Sequence, residues 1–232
     1  MLNSWVDKLA GALWPKRCLL CRGAAAGMAV CADCLLDLPW LDRCCTGCAR
    51  PLAAGTLCGL CAAGRWPVPT LAALAYEYPV DRLISSLKYR GERACGRALG
   101  ELLAVRAAEA HAAAAPLPDR LVPVPLHNRR EWQRGYNQAE LIARQLGADL
   151  GLRVTVTALR RVRDTPAQAL LGRAARAANM QGAFRCDASL AGLRVAIIDD
   201  VVTTGATALA AATAVKAAGA ARVEIWAVAR TP

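Results

Sequence analysis

Two adjacent carboxylates and three threonine hydroxyls fall within one short stretch, Asp199-Asp200-Val201-Val202-Thr203-Thr204-Gly205-Ala206-Thr207. An apolar run at 195–198 leads into it and an alanine-rich stretch follows. A buried strand, a small hydroxyl-rich turn and a helix start offer successive backbone N–H groups and the positive end of a helix dipole. Such a turn cradles a phosphate dianion, with Thr203, Thr204 and Thr207 as additional donors and Gly205 letting the backbone approach closely. Carboxylates beside a phosphate repel it, so Asp199 and Asp200 must face something else. A pair of vicinal hydroxyls fits, because hydroxyls donate to acceptor-only carboxylates. Phosphate at one end and a diol next to it describe a ribose phosphate. The plainer alternative is an ordinary strand–turn–helix junction with a threonine cap.

A second chemistry is written in sulfur. Of 11 Cys, nine lie between positions 18 and 61, and eight of these form pairs: Cys18-x2-Cys21, Cys31-x2-Cys34, Cys45-x2-Cys48 and Cys58-x2-Cys61. Two residues between thiolates let both reach one tetrahedral ion, and two such knuckles close a four-sulfur zinc site. Four pairs imply two structural zinc ions with no open coordination position. The spacing leaves sequential and interleaved pairing open, and Cys44, next to Cys45, competes with it as a ligand. Gly23, Gly47 and Gly59 are expected to supply positive φ near the knuckles. A disulfide framework is the competing reading. It fits poorly with an N-terminus lacking a basic region ahead of an apolar stretch, because cytosolic thiols stay reduced. A cytoplasmic protein is expected.

These residues need a frame. Residues 2–14 carry apolar side chains at helical spacing, giving an N-terminal amphipathic helix within 1–15; a double zinc ribbon is expected over 16–65. Beyond it the pattern predicts strands at 71–78, 121–126, 153–157, 194–198 and 222–229. It predicts helices at 81–89, 95–115, 139–150 and 206–218, and an irregular basic segment at 160–185. Strands alternating with helices imply an α/β fold with a parallel sheet, helices on both faces and ligands bound beyond the carboxyl ends of the strands. The loops after Leu126 and Ile198 are therefore where a site belongs.

Charge points the same way. The formal net charge is +11, and 25 of the 29 basic residues are Arg. Guanidinium pairs bidentately with phosphate oxygens, so a phosphate-bearing partner is expected. Arg129, Arg130 and Arg134 sit in the loop after Leu126 and are suited to neutralising a pyrophosphate, with Asn137 and Gln138 as donors at the next helix start. Arg161, Gln168, Arg176 and Asn179 are the contact candidates of a lid at 160–185. Lys88, Tyr89 and Arg90 contact ligand or nucleic acid, or else pack a helix end. Neither His127 nor His111 is a compelling base, and no catalytic residue is assigned. The chain is 56% hydrophobic, which excludes wholesale disorder, and its longest uncharged run is 15 residues, short of the roughly 20 that span a bilayer.

The segment 195–207 resembles the phosphoribosyl pyrophosphate (PRPP) motif of type I phosphoribosyltransferases. The resemblance narrows to the ComF competence family. It is carried by Leu121-Val-Pro-Val-Pro-Leu-His-Asn-Arg-Arg-Glu-Trp-Gln-Arg-Gly-Tyr-Asn-Gln138, Thr165-Pro-Ala-Gln168, Arg176-x2-Asn179, Gly182-Ala-Phe184, Leu87-Lys-Tyr-Arg-Gly91 and the paired Cys knuckles. Tyr136 stands where Phe is commoner and Asn128 where Pro is frequent. The resemblance implies a type I phosphoribosyltransferase-like domain over 70–232 that binds PRPP with magnesium. In that reading Asp199 and Asp200 take the ribose hydroxyls, and Thr203, Thr204, Gly205, Ala206 and Thr207 take the 5′-phosphate. It also implies the handling of imported single-stranded DNA in natural competence. Three readings follow: a PRPP-dependent transferase, a non-catalytic DNA-handling scaffold that keeps the ribose-phosphate pocket, and a zinc-ribbon adaptor for a DNA-uptake helicase or recombination protein.

Overall fold

The structure is a computed structural model and describes residues 16–112, 116–126, 132, 134–163, 180 and 182–232. The chain divides into two compact units, residues 1–38 and 39–232. In the first, strands β1 (Lys16–Arg17) and β2 (Ala24–Ala25) pair antiparallel around a knuckle, and helix α1 (Ala32–Leu36) follows and buries none of its residues.

The second unit begins with a Cys-rich loop and the short helix α2 (Gly59–Ala62). Strands β3 (Thr70–Ala75), β4 (Arg120–Pro123), β7 (Arg194–Val202) and β8 (Arg222–Arg230) then form a sheet in the order β3-β8-β7-β4, every pair parallel. Strands buried on both sides read as continuous apolar runs rather than alternating ones. On one face Val195, Ile197, Val223, Ile225 and Ala227 share a core with Ala208, Ala211, Ala212 and Val215 of helix α6 (Ala206–Ala217). Helices α4 (Arg93–Ala112) and α5 (Gln138–Leu150) pack against each other and cover the other face. There Trp226 meets the His111 ring at 5.0 Å. Gly100 makes the helix pair possible, since an added Cβ would lie 2.6 Å from Gln145 and 2.8 Å from the Ile142 carbonyl.

Several predicted elements differ in extent or kind. The helix predicted at 81–89 is helix α3 (Val80–Ser85) followed by a π-helix (Ser86–Arg90), closed by Gly91 at φ 72°. Residues 153–157 form no strand; only Val154 bridges to Leu121. The segment predicted as irregular from 160 is edged by strands β5 (Leu159–Arg161) and β6 (Phe184–Cys186), paired antiparallel. Alternation alone cannot choose between 153–157 and 159–161, because the choice is made by a partner far along the chain. The predicted helix at 2–14 lies outside the described residues.

Candidate functional site

The two Cys groups resolve into sequential pairs. Cys18, Cys21, Cys31 and Cys34 hold their sulfur atoms within 4.8 Å of one another, as do Cys45, Cys48, Cys58 and Cys61. Cys45, not Cys44, is therefore the thiol of the third knuckle that joins the second group. The sulfurs of Cys21 and Cys31 are 3.6 Å apart in the first group and those of Cys48 and Cys58 are 3.5 Å apart in the second. A tetrahedral ion with Zn–S bonds of 2.3 Å needs about 3.8 Å, so the sets fit zinc. Backbone N–H groups favour thiolates: Cys31 donates to Cys18 Sγ at 3.4 Å and Cys58 to Cys45 Sγ at 3.3 Å. Burial pushes the Cys45 thiol up, but the N–H groups of Cys58, Cys48 and Gly47 outweigh it and bring it to about 6. Cys61 is pushed upward, by burial and by the three thiols around it. Four sulfurs in this arrangement repel as they ionise, and a divalent cation relieves them.

Positive φ near the knuckles falls on Arg22 (66°) and Ala49 (54°), each directly after a Cys, and not on Gly23, Gly47 or Gly59. Gly47 has a steric reason instead. A Cβ there would sit 2.9 Å from Cys61 Sγ.

The second assembly lies at the carboxyl ends of β4 and β7. An open cavity of about 260 Å³ is lined by Lys88, Tyr89, Val124–Leu126, Arg134, Asn137, Gln138, Arg161, Asp199, Asp200, Val201, Thr203 and Thr207, among others. Thus β7 delivers the two acids, the turn into α6 delivers Thr203, the first turn of α6 delivers Thr207, and the start of α5 delivers Gln138. The short strand β5 delivers Arg161. The predicted Thr204, Gly205 and Ala206 lie between the lining threonines. Gly205 takes φ 82° at the start of α6, and the Ala206 N–H meets Thr204 Oγ1 at 3.4 Å. The predicted Arg129, Arg130, Gln168, Arg176 and Asn179, with His127, lie outside the described residues.

The electrostatics inside the cavity are uneven. Lys88 Nζ lies 2.9 Å from Asp200 Oδ1. Burial pushes the Lys88 ammonium down, but Asp200 outweighs it and its affinity for a proton is raised. Asp199 accepts the Asp200 N–H at 2.9 Å, and burial together with the neighbouring Asp200 raises its carboxyl far above the ordinary carboxylate range. Asn137 is a helix cap: its Oδ1 accepts the Ala139 N–H at 3.0 Å and its Nδ2 donates to the Val124 carbonyl at 3.0 Å. That pair of bonds fixes the α5 start against the end of β4. Gln138 beside it is 2% exposed, and its Nε2 has no hydrogen-bond partner among the described residues. A buried amide donor without a partner costs about 1–3 kcal/mol, a cost that an oxygen-rich ligand in the cavity would remove. At the mouth, Arg134 stacks 5.4 Å over the exposed Tyr89 ring.

Two residues that the sequence reading passed over stand behind the threonine turn. Trp66 covers Gly205 so closely that a Cβ there would lie 2.1 Å from the indole. Arg230 is fully buried at the end of β8, and Nη1 donates to the Val202 carbonyl at 2.8 Å and to the Thr203 carbonyl. A charged residue closing the apolar run 225–229 was the available signal; the strand predicted at 222–229 stops one residue before it.

A family model described as a double zinc ribbon domain matches residues 9–62. "DNA utilization protein YhgH" of Salmonella typhi is 35% identical over 94% of this chain and 98% of its own length. The protein of the same name from Escherichia coli K12 is 34% identical over the same shares. "Competence protein F" of Haemophilus influenzae is 31% identical over 92% of this chain and 96% of that protein. Among solved structures, a purine phosphoribosyltransferase from Pyrococcus horikoshii superposes on 70% of this chain and 88% of its own at a TM-score of 0.32 and 19% identity, too loosely to locate a site. Identity at this level across nearly the whole of both chains places the protein in the ComF family, that of competence protein F and DNA utilization protein YhgH.

Proposed function

We propose that the cavity binds PRPP. The 5′-phosphate sits in the turn 203–207, the ribose hydroxyls on Asp199 and Asp200, and the pyrophosphate toward Lys88, Arg134, Arg161 and the Gln138 amide. One observation carries the reading. A single cavity gathers an acidic pair, a hydroxyl-lined helix start and three cations, with a buried donor that lacks a partner among the described residues. Magnesium is a hard cation that takes carboxylate oxygens, and Asp199 and Asp200 are the acids in the cavity that would hold it. It would supply charge neutralisation on the leaving group. In the transfer, a nucleophile attacks the anomeric carbon, the bond from that carbon to the pyrophosphate oxygen breaks, and pyrophosphate departs with the electron pair. Lys88, Arg134 and Arg161 stabilise the charge that develops there, and the acidic pair holds the sugar in line.

Calorimetric titration with PRPP and magnesium tests this. Wild type gives saturable heat and Asp199→Ala gives none. Absence of heat with wild type abandons the reading.

A second reading is favoured by a different observation, the name "DNA utilization protein" shared by relatives along their whole length. In it the protein handles single-stranded DNA and the pocket is a sensor or scaffold. Exposed Tyr89 under Arg134 is the kind of ring on which a base stacks. Salt separates the readings: DNA contact through several phosphates weakens steeply with ionic strength, whereas PRPP binding follows magnesium and the acidic pair.

A further inference from the structure

The second Cys group and the threonine turn belong to one compact unit, residues 39–232. Here they are joined through two side chains. Arg230 Nε donates to the Cys48 carbonyl at 3.1 Å, while its Nη1 donates to the carbonyls of Val202 and Thr203. In a planar trans peptide the C=O and the following N–H point in opposite directions. Drawing the carbonyls of 202 and 203 toward Arg230 therefore turns the N–H groups of Thr203 and Thr204 away from it. Those are the first amides of the turn that lines the cavity. The other link runs through Trp66. Its Nε1 donates to Thr70 Oγ1 at 3.0 Å, and the Thr70 N–H donates to the Gly47 carbonyl at 3.0 Å. The same indole lies against Gly205, and Arg230 stacks 5.6 Å from its ring. Gly47 and Cys48, whose carbonyls carry both links, belong to the knuckle Cys45-x2-Cys48.

We propose that Arg230 and Trp66 are positioning residues that make the turn 203–207 depend on the metal at Cys45, Cys48, Cys58 and Cys61, so that zinc there and a phosphate monoester at the turn bind cooperatively. With the ion bound, the knuckle fixes the Gly47 and Cys48 carbonyls, Arg230 has a set anchor, and the amides face one point. When the ion leaves, the sulfurs separate, the two carbonyls move, and the turn loses the geometry that grips an anion. Reciprocity is obligatory: a ligand that selects the ordered turn also holds the knuckle closed. The inference takes the identity of the ligand from the reading above, while the link itself lies in the chain.

Two measurements test it. The first is zinc release from the full-length, two-zinc protein to a chromogenic chelator, with and without PRPP and magnesium. One zinc equivalent leaves roughly tenfold more slowly with ligand present, within the usual range of coupling between linked sites. In Arg230→Lys and Trp66→Phe, both ions still bind but the protection is lost. Equal release rates in wild type with ligand demonstrably bound overturn the proposal. So does full protection in both variants. The second measurement needs no ligand. Amide resonances of residues 203–207 are followed while zinc is withdrawn, with the Cβ shifts of Cys45, Cys48, Cys58 and Cys61 reporting the state of that group. These amides move together with those Cβ signals. If they stay fixed, the link is absent whatever the cavity binds. If they move but PRPP gives no heat, the proposed ligand fails and the coupling stands.

Discussion

The two Cys groups are built on one local plan and lead different lives. Both read Cys-x2-Cys-x9-Cys-x2-Cys. In both, the first Cys N–H bonds a carbonyl five residues on at 2.8 Å, Cys18 to Gly23 and Cys45 to Arg50. In both, the third Cys begins a short helix from an extended conformation, ψ 163° at Cys31 and 162° at Cys58. Their surroundings differ. Cys21 is exposed and Cys31 and Cys34 are half-buried, whereas Cys45, Cys48 and Cys58 are buried and belong to the core that holds Ile197, Val202 and Ala208. Ligand spacing thus settles how a metal would be held, and burial settles what the metal would hold in turn. The first group organises its own short segment. The second is part of the sheet's hydrophobic core.

The largest test of that contrast is loss of a ligand. Cys58→Ser is expected to cost the second unit most of its stability, since a structural zinc supplies folding free energy outright. Melting followed at the Trp226 environment, with zinc content measured alongside, would show a single early transition. Cys34→Ser removes one zinc equivalent but exposes little apolar surface, because α1 buries none of its residues. The sheet's melting transition should hardly move. Equal effects from the two substitutions would break the contrast.

Next in size comes Gly205→Ala. Its φ of 82° disfavours any Cβ, and the Cβ would overlap the Trp66 indole at 2.1 Å. Strain and overpacking together should cost several kcal/mol, on the order of 3, seen as a fall in the denaturation midpoint. Trp66→Ala on the same chain should restore part of that loss if the clash is its cause, which makes the pair a direct check that the indole backs the turn.

How much of this was readable beforehand follows from range along the chain. The knuckles and the run from β7 through the threonine turn to α6 are local patterns, and their spacing and periodicity survive into the structure. The 27-residue offset between the two Cys groups was also present in the spacing, though pairing could not be decided from it. Lys88 shows the limit of periodicity. The π-helix adds a residue to the turn, with the Gly91 N–H reaching back to the Ser86 carbonyl, and Lys88 within it meets Asp200, a turn type that 3.6-residue spacing does not encode. Trp66 and Arg230 mark a second limit. A buried arginine is explained only by the carbonyls it serves, and those come from Cys48, Val202 and Thr203, brought together by the tertiary fold.

A milder test asks whether the cavity beside the second group carries the electrostatic strain of a built site. Asp199 has a folded pKa raised above its unfolded value, first by burial and then by Asp200. Such an acid binds its proton more tightly when folded, so the native state loses stability as pH rises from about 4 toward neutrality. Asp199→Asn removes the penalty. The variant should be more stable than wild type at pH 8, by on the order of 1–3 kcal/mol, with the difference vanishing near pH 4. Chemical denaturation at the two pH values reads it. A difference independent of pH would mean that packing, and not charge, dominates at this position.

The smallest effect returns to the knuckles. A Cβ at Gly47 would meet Cys61 Sγ at 2.9 Å, inside a group whose other sulfurs are buried in the core. Gly47→Ala therefore forces either the ligand or the Gly47 carbonyl to move, at about 1–3 kcal/mol. Gly23→Ala places its Cβ 3.3 Å from Cys21 Sγ, and Gly23 does not take a left-handed φ. Cys21 is exposed and can give by a few tenths of an ångström. The remaining effect is the lower entropy of an unfolded chain with alanine in place of glycine, which favours the folded state by roughly 0.4–1 kcal/mol. The two terms nearly cancel, so Gly23→Ala should fall within about 0.5 kcal/mol of wild type in zinc-retention and melting assays. The ordering matters more than either value: the same substitution next to a metal is felt in proportion to how little room the surrounding core leaves for the sulfur to shift.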